Sequence, residues 1–186
     1  MPLPSDPDTS ATRPRALVSM GLACFACAAI AFMAGPYLAL MGTMKDVGTF
    51  DQVPVTGAAD IVHRLGVLGD GASAVLMKHL LFDVPFLLFQ GATILLLAFA
   101  AVRYAKASRW AHLALALPVV LVTIADLTED WSIWRLAAGE EPTDALAGLL
   151  RTATTFKLAL LPGMFLSLLG AGVLAVTAKL RLRFSA

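Results

Sequence analysis

Along the chain, long apolar runs alternate with charged connections, and four runs are long enough to cross a bilayer core of roughly 30 Å, which takes about 20 helical residues. The first, residues 16–44, contains no charged residue. The second, residues 79–102, is apolar except for Asp83 and Gln90 and ends at Arg103. The third, residues 110–134, carries Asp126, Glu129 and Asp130 toward its end. The fourth, residues 154–178, has Lys157 near its start and stops at Lys179, Arg181 and Arg183. Without water to satisfy an unpaired backbone, such runs must be helices. The expected fold is all-α: an integral membrane bundle of four transmembrane helices over residues 16–178, with residues 1–15 and 179–186 as tails.

Arg13 and Arg15 ahead of an apolar run also fit a secretory leader cleaved near Ala29-Ile30-Ala31. The run continues well past that point and exceeds a leader's apolar core, so it reads as an anchor. Basic residues then set the orientation. Arg13 and Arg15, the connection with Arg103, Lys106 and Arg109, and the tail with Lys179, Arg181 and Arg183 share one side, whereas the other side mixes both signs. The positive-inside rule makes both termini cytoplasmic, as in a bacterial inner membrane, and turns the two longer connections outward. In the first of these, Ile61, Val62, Leu65 and Leu68 share a face, with Asp60, His63 and Arg64 polar, which predicts a short interfacial helix.

Helices in lipid associate through small residues and polar contacts. Ala23, Cys27, Ala31 and Gly35 form such a stripe on the first span, and Gly163, Ser167 and Ala171 on the fourth. Each span has one proline, Pro36, Pro85, Pro118 or Pro162, read as ordinary irregularity of a membrane helix. Cys24 and Cys27 have CxxC spacing, as in quinone-linked disulfide oxidases, but no second pair exists to relay electrons, and small packing residues are the better reading.

The charges inside the spans change the picture most, because one charge at mid-membrane costs about 3 kcal/mol even on the lenient insertion scale. Given the alternating directions of the spans, Asp83, Asp126, Glu129 and Lys157 all fall in the outer third. Helical spacing puts Asp126, Glu129 and Asp130 on a broad face with Val119, Val122 and Thr123, and His79, Asp83, Phe86 and Gln90 on another. Thr154, Lys157 and Leu161 share a third. Trp131 and Trp134 mark the outer interface, which leaves Asp130 near the headgroups and partly solvated. Three acids then face one lysine, so one carboxyl keeps its proton, or Arg64, Arg135, Arg151 or a bound cation completes the balance.

The plainest reading of this cluster is a structural polar network. The first alternative is a membrane enzyme acting on a lipid or other apolar substrate. There Asp126 and Glu129 would transfer protons, Lys157 would position them, and Asp83 with His79, Gln90 and Thr123 would border the substrate. Proton or solute movement is disfavoured by the lack of polar residues to continue a path. A metal site is disfavoured because His63, His79 and His112 are dispersed, so no metal or other cofactor is expected. The expected partners are membrane lipids and a small apolar ligand.

Composition agrees: 59% of the 186 residues are hydrophobic and 15% charged, with a net charge of +1 and mean hydropathy +0.80. That excludes a disordered chain, and the near-zero charge argues against nucleic acid as a partner. Gly69-Asp70-Gly71 before the second span, Asp83-Val84-Pro85 within it, Asp126-Leu127-Thr128-Glu129-Asp130 late in the third and Lys157 in the fourth together resemble a family of small bacterial four-span membrane proteins. The family's third-span signature is D-x-x-E-N, so Asp130 departs from it by standing where an asparagine is usual. No established activity accompanies that family, and the resemblance implies only architecture and key positions.

Overall fold

The computed structural model describes residues 9–184, without the side chains of residues 9–13, 182 and 183. The side chains of Arg13 and Arg183 in the orientation argument therefore lie outside what is described, as do the ends of both tails. The described residues form six α-helices and no strand: α1 (Thr9–Ala34), α2 (Tyr37–Thr43), α3 (Ala58–Leu68), α4 (Ala72–Tyr104), α5 (Arg109–Ala137) and α6 (Asp144–Phe184). α1, α4, α5 and α6 each contain a stretch long and apolar enough to cross a membrane. The protein is an all-helical bundle with four candidate spans.

The exposed side chains identify the solvent. Along α5, Trp110, Leu113, Leu117, Val120, Ile124, Leu127, Trp131 and Trp134 form one exposed stripe, while Glu129 and Asp130 are buried. This inversion of a water-soluble pattern fits lipid outside and polar contacts inside. At 1.5 Å per residue, Trp110 and Trp131 stand about 32 Å apart along the helix, close to the thickness of a hydrocarbon core.

Three helices run past the expected ends of their spans. α4 begins at Ala72 and α6 at Asp144, because the residues ahead of each apolar run continue the helix without a break. Lys157 consequently sits about 20 Å into α6 rather than near its start. The first span, in contrast, is interrupted. Pro36 has no N–H to continue the ladder, so α1 stops at Ala34 and α2 starts anew at Tyr37. Pro85, Pro118 and Pro162 remain inside their helices.

α4 packs against α1, α5 and α6, and α5 packs along α6. α1 leans on α4 through Gly21, Ala28 and Gly35, where an added Cβ on Gly21 or Gly35 would press on Leu97 or Phe82. Of the expected stripe, Gly35 packs on α4, whereas Ala23 and Cys27 are exposed, so Cys27 is no packing residue. On α6 the expected stripe does pack, with Ser167 and Ala171 buried and Gly163 against Pro118.

α3 is the short helix expected in the first long connection, and it caps the bundle. Ile61 is buried and Leu65 and Leu68 pack on the core, but Val62 is exposed. Arg64, expected on the polar side, is 2% exposed. Its guanidinium pairs with Asp60 at 3.1 Å and donates to the carbonyls of Thr49 at 3.2 Å and Val53 at 2.8 Å. Gly48 supports the same loop with φ +77, and a side chain there would collide with Val53.

Candidate site in the polar layer of the bundle

The bundle core is built in layers. At the end carrying the longer connections, Leu40, Met44, Phe50, Leu76, Leu80, Ile133, Leu146 and Leu150 belong to one apolar cluster. Deeper, Ile94, Val119, Val122 and Met164 form a second. Between them, each of α4, α5 and α6 carries ionisable residues: Asp83, one turn beyond His79, on α4; Asp126, Glu129 and Asp130 on α5; and Lys157 on α6. Their chain positions between the same two apolar layers place them at a common level. Asp126 lies about 8 Å along α5 from Trp131, inside the aromatic boundary.

Lys157 joins two carboxylates. Its Nζ lies 2.9 Å from Asp126 Oδ1 and also donates to Glu129 Oε2. Glu129, with no exposed surface, accepts a further bond from the Thr154 hydroxyl. Thr154 remains within 2.9 Å of the Leu150 carbonyl, which ties the network to the α6 backbone. On α4, His79 Nε2 is 3.8 Å from Asp83 Oδ2, and the imidazole stacks on Tyr37 with ring centroids 6.0 Å apart.

The three arginines expected to complete the balance are engaged elsewhere. Arg64 holds Asp60, Arg135 pairs with Glu140, and Arg151 donates to the Val55 carbonyl at 2.8 Å. Asp130 overturns the expectation of a solvated headgroup-level acid: it is 4% exposed, with its carboxyl against that of Asp83. Helical spacing explains this outcome, because one residue beyond Glu129 the α5 face turns toward α4 rather than outward. Asp83 and Asp126 are among the charges facing Asp130 there.

The network has a closed side and an open side. Glu129, Asp130 and Thr154 are sealed by helices. Asp83, Asp126 and Lys157, together with Gln90, border a cavity of about 400 Å³ whose other walls include Phe32, Tyr37, Asp51 and Gln52. A second, apolar cavity of about 580 Å³ lies between α1, α4 and α6 and shares Phe32, Phe86, Gln90 and Phe165 with the first. The two cavities thus lie side by side, and together they line a lateral groove region that is polar at one end. Leu22, Phe25, Phe165 and Leu168 along its rim are exposed, so the groove faces the surrounding lipid.

Of the expected substrate-bordering residues, Gln90 and Asp83 line this groove. Thr123 does not: its hydroxyl donates to the Val119 carbonyl at 2.9 Å and it packs on Gly91. His79 borders only a narrow crevice behind Tyr37. Glu129 is walled off, which removes it from direct contact with anything in the groove. Sequence reading missed Tyr37, Asp51 and Gln52, where Gln52 Nε2 donates to the Tyr37 hydroxyl at 2.8 Å. The break at Gly35-Pro36 was the available signal, since it brings Tyr37 back toward α4. Among the described residues, no three His, Cys, Asp or Glu side chains are grouped as metal ligands.

Comparison with known proteins yields no matching family model, curated protein or solved structure.

Proposed function

We propose that this bundle binds an amphipathic membrane molecule, its polar end at Asp126, Lys157, Asp83 and Gln90 and its apolar part along the groove between α1, α4 and α6. The observation that carries this reading is that the roughly 400 Å³ polar cavity and the roughly 580 Å³ apolar one adjoin, with Phe32, Phe86, Gln90 and Phe165 in the walls of both. Each lies in the 300–1,000 Å³ range of small-molecule sites. A network serving packing alone has no use for an opening at Asp126. Chemistry on such a ligand would fall to Asp126, a carboxylate at the groove wall held by Lys157.

The structural reading keeps the other half of the layer. Glu129, Lys157 and Thr154 are buried and mutually bonded, as expected of groups that fix the register of α5 against α6. The two roles share Lys157.

The clustering of Arg103, Lys106, Arg109, Lys179 and Arg181 at one end supports a bacterial inner-membrane location with both termini cytoplasmic. The resemblance to small bacterial four-span proteins supports the same assignment. Reporter fusions at both termini test the orientation.

The ligand reading is tested with a photoactivatable long-chain alcohol, an uncharged amphiphile, in proteoliposomes, mapped by peptide mass spectrometry. Labelling should concentrate on the groove-facing residues of α4 and α6, and Leu168→Trp, which fills the groove, should abolish it there. Uniform labelling around the lipid-facing stripes, unchanged by Leu168→Trp, would contradict the proposal.

A further inference from the structure

The polar end of the groove is electrostatically one-sided. Asp51, Asp83 and Asp126 border it, and Glu129 and Asp130 stand behind its wall. Against these five carboxyls stands one lysine, already committed to Asp126 and Glu129. His79 is the other basic group at this level, beside Asp83. Carboxyls that outnumber cations in a low-dielectric setting favour a positive guest, which can pair with a carboxyl as that group gives up its proton to solvent, and disfavour an anion.

A further feature points the same way. Rings surround the polar end: Phe32 lies 5.3 Å from Tyr37 and 5.6 Å from Phe86 between centroids, with all three at the cavity wall. Aromatic faces beside carboxylates suit an ammonium group, which rings attract through their quadrupoles.

Building on the groove-binding reading above, we infer that the occupant is a cationic amphiphile: a membrane-dissolved amine whose ammonium head lies between Asp83, Asp126 and the rings of Phe32, Tyr37 and Phe86, with its alkyl chain in the apolar groove. Charge complementarity selects this occupant over a phosphate- or carboxylate-headed lipid, which would meet the acidic end with repulsion. Gln90, at the junction of the two cavities, stands where the head gives way to the chain.

The test uses the full chain in phosphatidylcholine nanodiscs and compares retention of radiolabelled dodecylamine, dodecanol and dodecyl phosphate above that of empty nanodiscs. Dodecylamine, protonated at neutral pH, should bind at least tenfold tighter than either of the others. Asp83→Asn should weaken it about tenfold and leave dodecanol unchanged. Asp51→Asn, in the loop, should act in the same direction and replaces Asp83→Asn if that variant fails to fold. Equal or tighter binding of dodecanol or dodecyl phosphate, or full retention of dodecylamine by the folded variants, would overturn the cationic assignment while leaving the groove in use. Specific retention of none of the three would overturn both.

Discussion

Lys157 Nζ stands 2.9 Å from Asp126 and bonds Glu129 as well, so one ammonium links a carboxylate at the groove wall to one sealed inside the bundle. The two acids should therefore respond differently to substitution. Their difference separates what holds the helices together from what faces the groove.

Lys157→Met removes the common partner and leaves Glu129 buried without a compensating charge. Breaking a buried pair in this way costs about 3–5 kcal/mol. Equilibrium unfolding in detergent should show a loss of that size. The double variant Glu129→Gln with Lys157→Met should recover most of it, since no lone charge is left behind.

Asp126→Asn should cost less than about 1 kcal/mol, or raise stability, because a group kept at a functional surface is seldom placed for stability. The same unfolding measurement decides the matter. A loss as large as that of Lys157→Met would make Asp126 a member of the structural network.

Asp130→Asn should stabilise the bundle by about 1–2 kcal/mol. Its carboxyl is buried against Asp83 with Asp126 close by, and an amide takes one acid out of that crowded cluster. A higher thermal midpoint in detergent is the expected result. A marked fall would mean that the carboxyl has a partner that the amide cannot replace.

Arg64→Met should open the cap. Arg64 holds the carbonyls of Thr49 and Val53 and pairs with Asp60, so its loss should expose residues 46–57 to protease while the helices of the bundle persist. Limited proteolysis followed by mass spectrometry would locate the cut. Protection equal to that of the unsubstituted chain would contradict this role.

The four spans and the common level of Asp83, Asp126, Glu129 and Lys157 were legible because hydropathy fixes where a helix crosses and alternating direction fixes height. Lateral arrangement was less so. Asp130 was read outward from its proximity to Trp131, yet a step of 100° per residue turns it to the α4 side. The stripe on α1 was legible only at Gly35, because small residues occur on several faces of the helix, and contact with Leu97 selects Gly21 over Ala23 and Cys27. The groove itself was out of reach. It arises because α1 packs mainly on α4 and leaves space toward α6, a tertiary fact that no spacing encodes.

The account rests on the opening of the polar layer toward lipid at Gln90 and Phe165. Nitroxide labels at Gln90→Cys, Phe165→Cys, lipid-facing Leu169→Cys and core Val122→Cys, with Cys24 and Cys27 replaced by Ala, allow a direct measurement of collision with dissolved oxygen in proteoliposomes. Gln90 and Phe165 should be relaxed by oxygen nearly as strongly as Leu169. Values at both positions as low as at Val122 would mean that the layer is closed and that no membrane molecule reaches Asp126.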